Sequence, residues 1–199
     1  MPETPKTPLP EIDADLTTVG KPGDGGCCYT NLTDFSVPTD ATTKMSTLTA
    51  FLSLGELSQN AFTESSSKNK SELKGWHNTT LRMADGDESK TYKVEFVEVN
   101  RPSVAKLKYG PANVEEGADG SVSHIKDRFG VDVTVPLVFD ELESSGFLRR
   151  TIVKKANVTS FDDVPHQRGS LMVYGMTFTV LDPGDGTQAV DIYRAKPAG

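Results

Sequence analysis

Residues 129–139 read Phe129-Gly130-Val131-Asp132-Val133-Thr134-Val135-Pro136-Leu137-Val138-Phe139. Apolar side chains occupy every second position from Phe129 to Phe139, the period of a strand with one face in a core. Pro136 has the opposite parity and brings no backbone donor. The strand is therefore expected to be bulged there or to lie partly at a sheet edge.

Strand-like segments continue on both sides of this stretch. Phe147–Val158, Leu171–Leu181 and Gln188–Tyr193 follow it, the last two separated by the turn Asp182-Pro183-Gly184-Asp185-Gly186. Before it, Lys90–Val99 places Tyr92, Val94 and Phe96 on one face and Lys93 and Glu95 on the other. Asp85-Gly86-Asp87-Glu88 carries a hairpin-turn signal, and Ser65-Ser66-Ser67-Lys68-Asn69-Lys70 reads as a turn or exposed loop. Leu73–Met83 reads as a strand-pair region around Trp76, and strand-like runs also cover Leu48–Leu54 and Leu57–Glu64. One short helix is expected, with Asn100 as cap, Pro102 in the first turn and Gly110-Pro111 as the stop. Eight or so strands with one helix predict an all-β sandwich or barrel with a flanking α-helix.

The first 46 residues differ in composition. They are rich in Pro, Thr, Asp and Gly, with prolines at 2, 5, 8, 10 and 22 within residues 1–24. We expect 1–46 to be an extended, flexible N-terminal arm and 47–199 to be the β-sandwich domain. The opening Met1-Pro2-Glu3-Thr4-Pro5-Lys6 lacks the basic and apolar pattern of a secretory signal, and no stretch reaches the ~20 apolar residues of a membrane span. Cys27 and Cys28 are adjacent and the only cysteines, so a disulfide framework is not expected. A soluble protein made in a cytoplasm, with no membrane partner, is the expectation.

Acidic residues outnumber basic ones 28 to 21, for a net charge of −7. That balance argues against gripping nucleic acid, which takes clustered Lys and Arg. His77, His124 and His166 lie far apart, without partners at zinc-ligand spacing. Asp85-Gly86-Asp87 and Asp182–Gly186 miss the calcium-loop pattern, since a loop starting at Asp85 would have Lys90 where Gly is required. Gly23-Asp24-Gly25-Gly26 lacks the Lys-Ser/Thr ending of a phosphate loop. No Gly-x-Ser-x-Gly elbow occurs. The expected set of catalytic, cofactor-binding and metal-binding residues is therefore empty, with no cofactor and no enzyme activity. The basic run Arg149-Arg150 with Lys154-Lys155 follows Asp140, Glu141 and Glu143, and reads as a solvated strand, as charge pairing between identical subunits or as a nucleic-acid contact.

Four segments, in order, resemble the major tail tube proteins of siphophages. The first is Leu54-Gly55-Glu56-Leu57-Ser58-Gln59-Asn60-Ala61-Phe62-Thr63-Glu64-Ser65, followed by Leu73-Lys74-Gly75-Trp76. Next comes Thr91–Val99 with the helix ending Leu107-Lys108-Tyr109-Gly110. The last is Phe129–Asp140 running into Ser145-Gly146-Phe147-Leu148-Arg149-Arg150. The resemblance covers residues 48–194 and implies a tail-tube-like fold of two packed antiparallel sheets. It also implies hexameric rings, each subunit lending strands to one continuous barrel, and stacking of rings into a tube for DNA ejection. The arm 1–46 and the loops 65–72 and 112–127 are then candidates for ring stacking. By the same resemblance the partners are further copies of the chain, a tape-measure protein, a tail terminator and distal tail proteins. DNA would traverse the lumen without specific binding, helped by whatever part of the negative charge lines it. The location would be the virion tail, after assembly in the host cytoplasm.

Overall fold

The computed structural model describes residues 20–22 and 27–196. Eleven strands run in chain order: β1 (Gly20–Pro22), β2 (Cys28–Thr30), β3 (Leu52–Ser53), β4 (Leu57–Lys74), β5 (Thr80–Phe96), β6 (Val114–Glu116), β7 (Val122–Ile125), β8 (Thr134–Glu143), β9 (Leu148–Phe161), β10 (Tyr174–Val180) and β11 (Val190–Ala195). The single α-helix among the described residues, α1 (Pro102–Tyr109), lies between β5 and β6. All pairings are antiparallel, and the fold is all-β with one flanking helix, as the alternation predicts.

Nine strands share one hydrogen-bonded sheet in the order β3-β2-β8-β9-β10-β5-β4, with β1 added to β8 and β11 to β9. β6 and β7 form a separate ribbon. The large sheet folds back on itself. β8 and β4 lie four places apart along it, yet the ring of Phe139 on β8 stacks on Phe62 of β4 at 4.3 Å and on Tyr92 of β5 at 5.4 Å. The two packed layers are thus two halves of a continuous sheet. Between them lie Val135, Leu137, Tyr92, Val94, Phe96, Met176 and Phe178, all buried, closed off by Val104 and Leu107 of α1. At about 25 cal/mol per Å² of apolar area removed from water, this core is the main source of stability.

β8 keeps the expected parity from Val133 onward, and the register shifts at Pro136 between Val135 and Leu137. The strand begins later than the alternation suggests. Phe129 is fully exposed and Gly130 is left-handed at φ 75, so the chain turns at 129–130 and joins the sheet only from Val133, whose carbonyl accepts from Val158 N–H at 3.0 Å. At α1 the N-cap is Arg101 rather than Asn100, and Gly110 ends the helix at φ 86.

The segment before residue 47 needs a different description from the expected arm. Residues 1–19 and 23–26 lie outside the described residues. The remainder is built into the body: Cys28, Tyr29 and Thr30 pair with Phe139, Val138 and Leu137. Thr30 Oγ1 donates to the Pro136 carbonyl at 2.9 Å. Met45, with Val37, Leu48 and Phe51, then covers Val138 and Ile152 on the outer side of β8–β9. A short apolar run inside polar sequence gives little periodic signal, yet three paired residues anchor it.

The largest departure is the β4–β5 hairpin. Ser65–Lys70 is not a loop and Asp85–Glu88 is not a turn: both lie inside strands, paired with one another, as in Ser67↔Ser89 and Lys68↔Glu88. The chain reverses instead at Gly75–Thr79, where Gly75 N–H donates to the Thr79 carbonyl and Asn78 N–H to the Gly75 carbonyl, both at 2.9 Å. Asn78 takes the left-handed conformation at φ 60. Trp76 therefore sits in the turn, 98% exposed, not within a strand. The expected loop 112–127 likewise contains the β6–β7 ribbon.

Candidate functional site

β10 pairs with β5 only from Thr91 to Phe96. Beyond that the hairpin continues alone, from Ser66↔Lys90 to Lys74↔Thr80. Nine residues at about 3.3 Å each give a free ribbon of about 30 Å. Water touches both faces, so neither needs apolar residues. The ribbon is held by cross-strand polar pairs: Ser67 with Ser89 at 2.8 Å, Lys70 with Asp85 at 3.6 Å, and Lys68 with Glu88. A bulge between Lys68 and Lys70 brings the Asn69 carbonyl to 2.6 Å from where a Cβ on Gly86 would stand. Only glycine fits there.

Two features of this hairpin are unusual for an isolated subunit. Among the described residues, β4 pairs only with β5, which leaves its other edge open along 18 residues. The tip is also apolar: Leu73, Trp76, Leu81 and Met83 are 51%, 98%, 69% and 51% exposed. A second exposed apolar group, Phe129, Phe161 and Leu171, lies at the far end of the molecule. Register fixes this polarity. Phe96, the end of β5 remote from the tip, pairs with Tyr174, and Phe161 pairs with Met176.

At its body end β4 bulges between Leu57 and Phe62, with Ala61 at φ 47. Ser58 and Asn60 in the bulge donate to the Glu95 carboxylate at 2.5 and 3.0 Å. Beneath lies a cavity of about 320 Å³, lined by Lys21, Cys27, Glu56, Phe62 and Glu141 among others. Burial, with Glu56 and Glu141 adding to it, pushes the Cys27 thiol up to about 11. That shift favours the protonated thiol over the thiolate at neutral pH.

The three histidines do not converge. His77 is in the hairpin turn, His124 on β7, and His166 between β9 and β10. Asp182 and Asp185 accept backbone N–H groups of Gly184 and Thr187 at 2.8 and 2.9 Å, which makes them turn builders. Among the described residues no cluster of three or more His, Cys, Asp or Glu could hold a metal ion. No helix there is long and apolar enough to cross a membrane. Three members of the basic run meet carboxylates inside the subunit, while Lys155 lies over the Phe35 ring and the buried Arg149 Nε has no hydrogen-bond partner among the described residues. Arg150 forms a two-pronged pair with Asp140 at 2.6 and 2.7 Å, Lys154 meets Asp191 at 3.0 Å, and Arg149 lies 3.9 Å from Glu141. Adjacent strands thus pair Arg150 with Asp140 and Lys154 with Asp191 within one subunit.

The molecule thus presents an open strand edge, a projecting ribbon, and exposed apolar groups at opposite ends. The sequence carries the resemblance but hides the ribbon, because a strand wet on both sides imitates a loop. Among curated proteins the chain finds no match. A family model described as phage tail tube protein matches residues 18–197.

Proposed function

The chain belongs to the phage tail tube protein family, and from that membership we propose that its copies join edge to edge into hexameric rings which stack into the conduit for DNA ejection. The family is structural, and its place is the virion tail. The observation that carries the proposal is the open β4 edge. An 18-residue row of half-paired backbone groups is a standing template for another strand, and closure into a barrel removes the edge altogether. Lys68, Lys70 and Lys74 keep the distal edge from pairing indiscriminately until a copy arrives in register.

Stacking draws on the other two features. The apolar tip around Trp76 and the group Phe129, Phe161 and Leu171 occupy opposite ends along the strand direction. Contacts between different patches of identical molecules propagate head to tail rather than closing on a pair. The hairpin thus replaces the loop 65–72 as the stacking element, and the β6–β7 ribbon takes the place of loop 112–127. The tape-measure protein would lie within the tube, and the tail terminator and distal tail proteins at its ends. Assembly would take place in the host cytoplasm.

Sedimentation across a concentration series tests the proposal. Open-ended growth from monomer to a broad range of large polymers is expected, accompanied by a blue shift in the emission of Trp76, the only tryptophan. A single closed oligomer at every concentration would contradict stacking.

A further inference from the structure

At the end of the molecule remote from the hairpin tip, Lys108 in the last turn of α1 stands among aromatic rings. Its ammonium lies 3.9 Å from the ring centre of Tyr174, 5.3 Å from that of Tyr109 and 6.0 Å from that of Phe161. The two tyrosines brace each other edge to face, with hydroxyls 3.4 Å apart. Other lysines on this side are occupied: Lys106 pairs with Glu116 at 2.5 Å and Lys126 with Glu115 at 2.6 Å. Among the described residues Lys108 has no carboxylate at that range. Burial holds its ammonium below the ordinary lysine value, with Asp127 pulling the other way. Exposed apolar side chains rim this seat. Phe161 contributes its own edge, and Phe129 follows closely on the end of α1, because Val131 packs within 2.7 Å of where a Cβ on Gly110 would stand. Leu171 lies in the segment that runs into Tyr174. A half-buried ammonium that has exchanged part of its hydration for one ring face gains from a second ring on its open side.

The opposite end supplies such a ring. Leu81 fills the space against Gly75, its Cδ1 within 2.9 Å of where a Cβ would stand, and the neighbouring Trp76 is left 98% exposed. The carboxylate nearest the turn, Glu72, already accepts from Thr80 at 3.0 Å and pairs with Lys74 at 3.4 Å. What the tip has left to offer a cation is the indole face, the best of the aromatic faces for an ammonium. Arg82 at the tip and Asp127 beside the seat carry opposite charges, so the two ends do not repel each other. Neither Trp76 nor Lys108 belongs to the bare polar face of β4, β5 and β10, where Ser65, Thr91 and Thr179 are Cα partners.

We propose that Lys108 is the seat for Trp76 of the next copy, the indole closing over the open side of the ammonium while the apolar side chains of the tip meet those of the rim. The inference rests on the stacking reading above and names the pair of side chains that carries it. Each copy offers one seat and one indole on different surfaces, so the contact repeats without closing on a pair. Tyr174 and Tyr109 hold the ammonium in place before the partner arrives, which lowers the ordering cost of docking.

The critical concentration for tube growth, read by sedimentation of full-length variants, tests the pair. Lys108→Met keeps an apolar stem without the charge and should raise that concentration about five- to tenfold, whereas Lys108→Arg should stay within about twofold of the native chain. Trp76→Leu keeps apolar area without a π face and should lose about as much as Lys108→Met. Combining Lys108→Met with Trp76→Leu should be no worse than the poorer single variant, because both remove one contact. Losses that multiply in the double variant would overturn the pairing, as would Trp76→Leu chains that grow like the native one. A second measurement does not depend on these energies. In tubes grown from a mixture of Trp76→Cys and Lys108→Cys chains, a bis-maleimide should link two copies, its spacer being needed because a stacked Trp–Lys pair holds its backbones too far apart for a disulfide. Tubes of either variant alone should give no such dimer, since Cys27 and Cys28 are buried. Intact mixed tubes without the dimer would sink the inference alone. If the unmodified chain formed no tubes at all, the stacking reading would fail and this inference with it.

Discussion

Arg150 is only 3% exposed, and its guanidinium is directed at protein oxygens. It holds Asp140 with two hydrogen bonds and donates to the Asp40 carbonyl at 3.0 Å, tying the covering segment to the sheet. Removing one partner of such a pair leaves a buried, uncompensated charge. Arg150→Ala should therefore cost about 3–5 kcal/mol in urea unfolding of the monomer. Arg150→Lys should recover only part, since an ammonium cannot reproduce the planar two-pronged contact. A loss below about 1 kcal/mol would show that Asp140 is solvated after all. Glu143 makes a pH prediction. The Arg194 hydrogen bond at 2.7 Å holds the buried Glu143 carboxyl below the ordinary carboxylate range, helped by Ser145. A depressed folded pKa adds stability in full above the unfolded value of about 4.3, and that stability fades as pH falls through the folded value. The melting-temperature gap between the native chain and Arg194→Gln should be widest near neutral pH and should close in acid. A gap that persists unchanged at low pH would assign the effect to packing of Arg194 on Phe147 instead.

At the scale of the element, the β4–β5 hairpin divides into a part locked to the body and a part that stands free. Gly86→Val places a side chain against the Asn69 carbonyl, so the distal pairing should open. Hydrogen exchange should then show lost protection beyond Lys90, with protection of Tyr92–Phe96 retained. Global loss would mean that the ribbon and the core unfold together. Trp76→Ser should leave the monomer melting temperature within experimental error, since the side chain is exposed, yet slow tube growth markedly by light scattering. The same division explains what the sequence can tell. Val133, Val135, Leu137 and Phe139 face the core, as do Tyr92, Val94 and Phe96, because one-sided burial writes a period of two. The distal hairpin has no buried side, and its Ser, Lys, Asp and Glu carry only a composition, which matches a loop as well as a strand. Cys28–Thr30 is legible only through pairing with β8, a contact over a hundred residues distant in sequence. The apolar tip is hidden for a related reason: Leu73, Leu81 and Met83 look like core when the turn is misplaced.

For the whole molecule, one sheet folded over one core leaves three things unfinished: the β4 edge, the two apolar ends, and a bare polar face. The chain belongs to the phage tail tube family, and in the assembly proposed above all three features serve self-association. Edge closure draws on the β4 backbone, stacking on the apolar side chains at the two ends and the bare face on its polar side chains, so side-chain substitutions should separate them. A substitution on the bare face should spare tube length, while one at the tip should shorten tubes without altering their diameter. Negative-stain electron microscopy of the purified, unmodified chain at increasing concentration is the most direct test. The account predicts hollow cylinders of one diameter and varied length. Dispersed monomers or solitary rings at every concentration, even when seeded with preformed tail fragments, would contradict it.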